Sequence, residues 1–317
     1  MFKKIVEQIE RFDSIVLFGH SHPDGDCYGS QIALREMIKS HYPEKKVYAV
    51  GSGMPDFFSL MAKMDEVSDD TIKDSLAIIL DANDLTRIED RRVFSAKAFA
   101  KIDHHVDLHT FTEGPEVIVE DANSTCELIV DLAFRENFEI NKIAAKGLFL
   151  GILTDTARFQ YCVDFAKVFD ICKFLITKGA DPYRMYEILN ARDESYLQMV
   201  GYIYSHYQKT KAGTLYMIFD REEIEKLGNK DSIEIANQVR LLGNVKGYGV
   251  WVFFVERSDG RMSAEFRSNK YNVQSVASRH GGGGHVHASG MTVPKFDREF
   301  IQTVLDECDE LIVKGIE

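Results

Sequence analysis

The chain has 317 residues, 45% of them apolar, which is enough for two domains that each bury a core. Its 50 acidic and 38 basic residues give a formal net charge of −12, which argues against a broad basic face for long nucleic acid. The five cysteines have no disulfide or metal-type spacing, and no apolar run is long enough to cross a bilayer. We therefore expect a cytoplasmic protein that does not bind a membrane, with its thiols mostly acting as small core fillers.

The amino terminus predicts an amphipathic helix followed by a buried strand. Apolar residues recur at helical spacing between charges, and the segment lacks the apolar core of a signal peptide. These apolar residues are Phe2, Ile5, Val6, Ile9 and Phe12. The apolar run at 14–18 predicts a strand of a parallel sheet.

The segment after this strand, Gly19–Ser30 (GHSHPDGDCYGS), offers one imidazole and two carboxylates from His20, Asp24 and Asp26. We expect a turn here, with a helix beginning after Gly29. The turn follows the carboxyl end of a strand, where open α/β sheets bind ligands. The three side chains suit divalent ions such as Mn²⁺ or Mg²⁺. A polar surface turn is the alternative, because turns favour Asp and Gly for conformational reasons.

Three further strands are predicted at 47–50, 76–80 and 98–102. Their alternation with helical segments indicates a parallel sheet with helices on both faces. Asp81 directly follows the second of these strands, in a position where it could bridge two metal ions. The sequence therefore predicts an α/β domain whose strand ends carry polar groups.

Asp103, His104 and His105 follow the strand at 98–102. Three titratable groups in a row carry a desolvation cost that a metal ion would remove, although a solvated loop is the alternative. Asp155 follows the helical segment 144–153, where a helix cap is the alternative. By contrast, the sequence at 124–127, Ser-Thr-Cys-Glu, predicts a capping box with a structural role alone.

The middle of the chain predicts a helical linker between two domains. A helical segment at 195–209 follows two others that are separated by a stop at 179–182. We therefore expect a first domain at 1–185, a linker at 186–210 and a second domain at 211–317. The second domain is predicted to be smaller and α/β or α+β, with strands at 214–220, 249–255 and 262–266 and helices at 221–227, 231–242 and 272–279.

The second domain also carries a local positive charge and a glycine run. Between Arg240 and His285 there are seven Arg and Lys residues against three Asp and Glu residues, so this segment can attract phosphate. Glycine-rich turns let backbone N–H groups approach a phosphate, which predicts an anion cradle at Gly283, Gly284 and His285. A flexible linker is the alternative. The residues past the nearest strand would add side-chain donors: Arg267, Ser268 and Asn269.

Together these motifs resemble the DHH phosphoesterase family, which is named for the Asp-His-His found here at 103–105. The matching segments stand in the family's order: GHSHPDGD at 19–26, LDANDLTR at 80–87, KIDHH at 101–105, ILTDT at 152–156 and SRHGGGGHVHASG at 278–290. The resemblance implies a parallel-sheet DHH domain joined by a helical linker to a smaller α/β substrate-binding domain. One departure is Ala157, because family members often carry glycine there.

The resemblance also implies two divalent metal ions, for which Mn²⁺ is the leading candidate and Mg²⁺ or Co²⁺ are alternatives. The ligands implied for one ion are His20, Asp24 and Asp81. The ligands implied for the other are Asp26, Asp81, His104 and Asp155. By the same resemblance, Asp81 would bridge the ions, His105 would contact the phosphoryl group and Asp103 would orient the histidines.

Within the family, the short two-domain form resembles bacterial nano-RNases that also dephosphorylate 3′-phosphoadenosine 5′-phosphate. This implies that the substrates are short RNA oligonucleotides and small phosphorylated nucleotides, with long nucleic acid excluded. A phosphodiesterase for the linear dinucleotide pApA is the near alternative, and a non-catalytic nucleotide-binding regulator is the distant one. The sequence leaves open the metal used, the direction of degradation and the oligomeric state, for which a homodimer is one possibility.

Overall fold

The structure is a computed structural model that describes residues 1–54, 60–106, 114–228 and 230–315. The chain divides into two compact units, Met1–Ala191 and Arg192–Glu317. The division falls within the segment 186–210 that the sequence predicts as a linker. Each unit has its own sheet.

The first unit contains a five-stranded parallel sheet in the order β2-β1-β3-β4-β5. Its strands are β1 (Ser14–Phe18), β2 (Lys46–Ala49), β3 (Leu76–Leu80), β4 (Ala98–Asp103) and β5 (Glu116–Ile118). Its helices are α1 (Lys3–Arg11), α2 (Gly25–His41), α3 (Asp69–Lys73), α4 (Thr125–Glu136), α5 (Lys142–Asp155), α6 (Phe165–Thr177) and α7 (Pro182–Asn190). The predicted α/β class with a parallel sheet is confirmed, whereas the three-residue strand β5 was not predicted.

Both faces of this sheet are buried, which explains why its strands are apolar without alternation. In β1, Ile15 and Leu17 pack into one core, and Val16 and Phe18 pack into the other. The two cores lie on opposite faces because successive strand residues point in opposite directions. The carboxyl ends of the strands are therefore left as the edge where polar side chains can gather.

Helix α2 begins at Gly25, five residues before the predicted start at Ser30. Asp24 caps the helix, because its Oδ1 accepts hydrogen bonds from the backbone N–H groups of Asp26 and Cys27, each at 3.0 Å. Gly29, which the prediction treated as a turn residue, lies inside the helix. A Cβ on Gly29 would lie 2.3 Å from the carbonyl oxygen of Gly147 in α5, so glycine permits a close helix contact here.

The second unit contains a six-stranded mixed sheet in the order β10-β11-β9-β8-β7-β6. Its strands are β6 (Gln208–Lys209), β7 (Thr214–Phe219), β8 (Val250–Glu256), β9 (Met262–Ser268), β10 (Gly283–His285) and β11 (Ala288–Val293). Its helices are α8 (Glu194–His206), α9 (Arg221–Lys226), α10 (Ser232–Ala236), α11 (Gln274–Arg279) and α12 (Arg298–Lys314). Within the described residues, β7 and β8 pair in parallel and the other pairs are antiparallel.

Helices cover both faces of the second sheet. Met199 and Ile203 of α8 pack on one face, so the predicted connecting helix belongs to this unit. Helices α11 and α12 pack on the other face through residues such as Val276 and Val304. The elements after His285, β11 and α12, were not predicted from the sequence.

Two findings bear on the expectations about membranes and thiols. No helix in the described part of the chain has the length and apolar character needed to span a bilayer. All five cysteines are free thiols, and those at 27, 126, 172 and 308 are buried. The expectation that the thiols mostly fill the core is confirmed.

Candidate metal centre

Polar side chains from three strand ends meet at one edge of the parallel sheet. His20 follows β1, Asp81 follows β3, and Asp103 ends β4 with His104 and His105 after it. The strand order reverses between β1 and β3, which is the position where open α/β sheets bind ligands. The sheet topology therefore brings together residues that are far apart in the sequence.

Asp81 lies between two sets of ligand-type side chains. Its Oδ2 is 3.5 Å from Nε2 of His20, and its Oδ1 is 3.6 Å from Nε2 of His104. The side chain is only 2% exposed, and its backbone has a φ of +57°, in the left-handed region that is unusual for a residue other than glycine. Its two oxygens face different imidazoles, as expected of a carboxylate that two metal ions share.

The set around His104 has distances that fit one ion. Its Nε2 lies 3.0 Å from Oδ2 of Asp155 and 3.9 Å from Oδ2 of Asp26. Two ligands at right angles, each about 2.1 Å from an ion, are about 3.0 Å apart. This nitrogen is buried and forms no hydrogen bond of acceptable geometry within the described chain, while Nδ1 lies 3.3 Å from the carbonyl oxygen of Ala122. The Nε2 atom is thus available to a metal ion.

The set around His20 differs from the one that the family resemblance implies. The Nδ1 atom of His20 lies 3.0 Å from the carbonyl oxygen of Ser21, which leaves Nε2 for a ligand role. Three groups among the described residues have all their ligand atoms within 4.8 Å of one another, and the one that includes His20 consists of His20, Cys27 and Asp81. Asp24 is outside this group: it is 54% exposed, its Oδ1 caps α2, and that oxygen lies 3.8 Å from Nε2 of His20.

The electrostatics of the cluster favour a bound cation. Burial and the neighbouring charges of Asp81 and Asp155 raise the pKa of Asp26 well above its ordinary value, and burial also raises the pKa of Asp155. For His104, burial opposes protonation, but the Asp155 carboxylate 3.0 Å away and the charge of Asp26 outweigh it and raise the pKa to about 10. The cluster therefore holds protons when no metal ion is present, and its carboxylates and imidazoles suit divalent ions.

The amino terminus of α4 supports two of these carboxylates. The backbone N–H groups of Thr125 and Cys126 donate to Oδ2 and Oδ1 of Asp26 at 2.7 and 2.8 Å. The hydroxyl of Thr125 donates to Oδ1 of Asp81 at 3.1 Å. The sequence predicts a structural role alone for this segment, because no local pattern connects it to Asp26, about a hundred positions earlier, or to Asp81.

The capping box itself is only partly formed. Ser124 accepts a hydrogen bond from the backbone N–H of Glu127 at 3.0 Å, as predicted. The Glu127 carboxylate accepts from the backbone and side chain of Asn123 and contacts Lys167 at 2.6 Å. The helix start is therefore held from both sides, which keeps its N–H groups directed at Asp26.

Asp103 holds His105 in place. Its Oδ1 accepts from the backbone N–H of His105 at 3.1 Å and lies 2.9 Å from Nδ1 of the same residue, while its Oδ2 is 3.5 Å from Nζ of Lys101. The hydrogen bond to Asp103 is the main cause that raises the pKa of His105. Asp103 therefore positions His105, while the expectation that it also orients His104 stays a prediction.

In the second unit, Arg267 and His285 lie on the same face of the sheet. Arg267 in β9 is in register with Ala288 in β11, and Ala288 is in register with His285 in β10. Two strand spacings separate them by roughly 10 Å. Arg267 already donates from Nη1 to Oε2 of Glu265 at 3.2 Å and to the carbonyl oxygen of Phe266 at 2.8 Å.

The residues after β9 form a turn. Ser268 accepts hydrogen bonds at its Oγ from the backbone N–H groups of Lys270 and Tyr271, at 2.9 and 2.6 Å. The backbone N–H of Asn269 donates weakly to the carbonyl oxygen of Gly249 at 3.4 Å. Ser268 therefore has a structural role besides the predicted contact with an anion.

The glycine run does not form the predicted loop. Gly283 to His285 form β10, an exposed strand at the edge of the second sheet. Gly284 has a φ of +129°, and a Cβ there would lie 2.6 Å from the carbonyl oxygen of Ala288. Glycine lets the backbone approach β11 at this point, so the prediction of a glycine-rich turn is wrong for residues 283–285.

Ala157, the departure noted in the sequence, lies in an unusual left-handed turn. Its φ is +46°, and Arg158 and Phe159 follow with φ values of +63° and +65°. The turn is closed by a hydrogen bond of 2.9 Å from the backbone N–H of Gln160 to the carbonyl oxygen of Thr156. An alanine in this conformation is strained, which gives a physical reason for glycine at this position.

Known proteins match both units of this chain. Residues 14–152 match the model of the DHH family, N-terminal domain, and residues 212–314 match the DHHA1 domain. A Mycoplasma genitalium protein named bifunctional oligoribonuclease and PAP phosphatase NrnA is 32% identical over 97% of this chain and 96% of its own length. The chain belongs to the DHH family.

Two other proteins show how far this likeness to DHH proteins extends. The crystal structure of an exopolyphosphatase-related protein from Bacteroides fragilis has a TM-score of 0.85 and 26% identity, and the match covers 98% of this DHH chain and 97% of that one. The cyclic-di-AMP phosphodiesterase GdpP of Geobacillus thermodenitrificans is 24% identical over 95% of this chain, but the match covers 48% of that protein. The family assignment made from the motifs is confirmed.

Proposed function

We propose that this DHH protein is a two-metal phosphoesterase that hydrolyses short oligoribonucleotides to mononucleotides and 3′-phosphoadenosine 5′-phosphate to AMP. The observation that carries the proposal is the position of Asp81, with one oxygen toward His20 and the other toward His104. The name of the Mycoplasma genitalium relative includes both activities, which supports the same pair of substrates.

Two divalent ions, Mn²⁺ in our proposal, would share Asp81. His20 and Asp24 would complete the first position, while Asp26, His104 and Asp155 would complete the second. Such a pair of ions would supply an activated water and stabilise negative charge at phosphorus during hydrolysis. The protein's own contribution is to hold the carboxylates rigidly, as the α4 N–H groups do for Asp26.

His105 would contact the phosphoryl group, and Asp103 would position His105. His105 is 42% exposed, so a substrate can reach its ring, while Asp103 is fully buried behind it. The Asp103 hydrogen bond at Nδ1 favours the protonated imidazole. The Nε2–H group of His105 would then donate a hydrogen bond to a phosphoryl oxygen, with Asp103 fixing the ring.

The second unit would bind a terminal phosphate or a backbone group of the substrate. Support comes from the local excess of positive charge and from the register that aligns Arg267 with His285. As an edge strand, β10 also has backbone groups that no described strand pairs. The residues that we propose for this site are Arg267, Ser268, Asn269, Gly283, Gly284 and His285.

We expect short substrates to be preferred, because a net charge of −12 argues against a broad basic face for a long polyanion. A cytoplasmic location is part of the proposal and is supported by the five free thiols.

A direct test compares substrates under the same conditions. Purified protein with Mn²⁺ should degrade a diribonucleotide and release phosphate from 3′-phosphoadenosine 5′-phosphate, and it should act much more slowly on a long RNA. Equal rates on the dinucleotide and the long RNA would contradict the proposed preference. Absence of any metal-dependent hydrolysis would contradict the proposed function as a whole.

A second candidate, a phosphodiesterase for pApA, uses the same metal centre. The match to a cyclic-di-AMP phosphodiesterase keeps it in view, although that relative is more distant. Values of kcat/KM for pApA, an unphosphorylated dinucleotide and 3′-phosphoadenosine 5′-phosphate would separate the two candidates. A marked preference for pApA would favour the second one.

A further inference from the structure

We propose that the thiol of Cys27 is a ligand of the metal position at His20. This role is additional to the ligand set implied by the DHH resemblance, and it rests on the metal centre of the proposed function. It would give one of the two metal positions a sulfur donor and leave the other with oxygen and nitrogen donors alone.

The geometry around His20 carries this inference. The ligand atoms of His20, Cys27 and Asp81 all lie within 4.8 Å of one another, and all three residues are buried. Tetrahedral or octahedral ligands at about 2.0–2.3 Å from an ion have separations within this limit. Asp24, by contrast, is largely exposed, and its Oδ1 already accepts two backbone hydrogen bonds.

The local fold holds the sulfur in this position. Cys27 lies in the first turn of α2, where its backbone N–H is fixed by the Asp24 cap at 3.0 Å. The strand-to-helix turn leaves room for the sulfur because residue 19 is glycine. A Cβ on Gly19 would lie 2.3 Å from Sγ of Cys27, so a larger residue there would displace the thiol.

The contacts of the thiol within the protein are weak. Its Sγ lies 4.0 Å from the carbonyl oxygen of His20 and 3.8 Å from Oε1 of Gln31, which are long distances even for sulfur. A coordinating cation deprotonates a thiol outright, and this provides a stronger partner than either oxygen.

A sulfur ligand would change the metal preference of this position. Thiolates favour Zn²⁺ and Co²⁺, whereas carboxylates suit Mg²⁺ and Mn²⁺. We therefore expect the two positions to be unequal, with Co²⁺ bound more tightly at the position that includes Cys27. The ion that this position would bind is therefore a borderline-soft divalent cation.

Titration of the metal-free, full-length protein with Co²⁺ tests the inference. The wild-type protein should show a thiolate-to-cobalt charge-transfer absorption in the near ultraviolet in addition to the visible cobalt bands. Cys27→Ser and Cys27→Ala should lose the charge-transfer absorption. Cys172→Ala is the matched control, because this buried thiol packs in the core of the first unit and belongs to no ligand group among the described residues, and it should keep the absorption.

Affinity gives a second readout. The loss of a supporting partner costs about 10–100-fold in metal affinity, so the loss of a direct ligand in Cys27→Ala should weaken Co²⁺ binding by at least about tenfold. Mn²⁺ binding should weaken less than Co²⁺ binding. Circular dichroism checks that each variant is folded. If Cys27→Ala does not fold, Cys27→Ser, which nearly keeps the side-chain volume, provides the test.

The outcomes distinguish this inference from the proposed function. Visible cobalt bands without charge transfer in the wild type would overturn the role of Cys27 while leaving the metal centre in place. The same conclusion follows if the charge-transfer absorption persists in a folded Cys27 variant. If neither Co²⁺ nor Mn²⁺ binds to the wild type, the metal centre and the proposed function fail together with the inference.

Discussion

The buried centre of the first unit and the exposed strand edge of the second unit are built in opposite ways. Asp26 and Asp81 are buried, and protein donors from α4 fix their oxygens. Gly283 to His285 are exposed, and Arg267 is engaged with Glu265. Rigid, desolvated groups suit metal chemistry, whereas exposed groups that can exchange partners suit substrate selection. Changes in the first region should therefore affect the rate, and changes in the second should affect the choice of substrate.

Asp81→Asn should have the largest effect. The amide cannot bridge two cations as a carboxylate does, so we expect the variant to lose several kcal/mol of transition-state stabilisation. This loss corresponds to a decrease in kcat of at least about a thousandfold. Steady-state rates on a diribonucleotide with Mn²⁺, together with the metal content of the protein, measure this. Asp84→Asn, which alters a partly buried cap at Leu85–Arg87, is the control and should retain activity. Full activity in Asp81→Asn would refute the bridging role.

Thr125→Val should weaken metal binding by about 10–100-fold, the usual cost of removing a supporting hydrogen bond. Its hydroxyl donates to Asp81, while its backbone N–H to Asp26 is kept in the variant. The free Mn²⁺ signal in electron paramagnetic resonance gives the dissociation constant. Thr125→Ser retains the hydroxyl and should restore affinity; failure of the serine variant to do so would point to a packing effect instead.

Arg267→Ala tests the proposed role of the second unit in substrate selection. A hydrogen bond to a charged group contributes about 1.5–3 kcal/mol, so KM for 3′-phosphoadenosine 5′-phosphate should rise about 10–100-fold with a smaller change in kcat. Arg261→Ala is the matched control, because Arg261 is exposed and pairs with Asp259 at 2.6 Å. A fall in kcat at unchanged KM would show that the two regions do not divide their roles as proposed.

The stability of the metal-free protein should depend on pH in a direction set by the first region. The pKa of His104 is raised from 6.5 to about 10, so the folded state binds this proton more tightly than the unfolded state does. The resulting stabilisation is fully present below pH 6.5 and is lost as the pH rises through about 10. The raised pKa values of Asp26 and Asp155 act in the same direction.

We therefore expect the Tm of the metal-free protein to fall between about pH 6.5 and pH 10, as measured by calorimetry. Saturating Mn²⁺ should weaken this dependence, because the ions replace the protons in the cluster. A flat profile without metal would indicate that the cluster does not hold protons as described.

Ala157→Gly should have the smallest effect. A left-handed conformation costs a residue with a Cβ roughly 1–2 kcal/mol, and the entropy cost of glycine offsets part of the gain, so we expect stabilisation of up to about 1 kcal/mol. Urea denaturation measures the change. Ala145→Gly, inside α5, is the control and should destabilise by about 1 kcal/mol or more. Destabilisation of Ala157→Gly would contradict the strained turn.

Much of the candidate centre was predictable because its residues stand at strand ends. Apolar runs such as 76–80 predict buried strands, and parallel strands end at the same edge of a sheet, so Asp81 and His104 were expected to meet. The start of α2 was missed because Gly25 and Gly29 look like turn residues, whereas their lack of a Cβ serves the contact with α5. The glycine run was misjudged for the same reason, since in β10 it serves strand pairing.

The sequence by itself determined the family, the α/β class and the residue types available for metal binding, because short motifs and apolar periodicity are local properties. The tertiary structure decided which atoms face each other. It directs the N–H groups of Thr125 and Cys126 at Asp26, and it brings the ligand atoms of His20, Cys27 and Asp81 within 4.8 Å of one another. Such contacts depend on packing between segments distant in the chain, which no local pattern encodes.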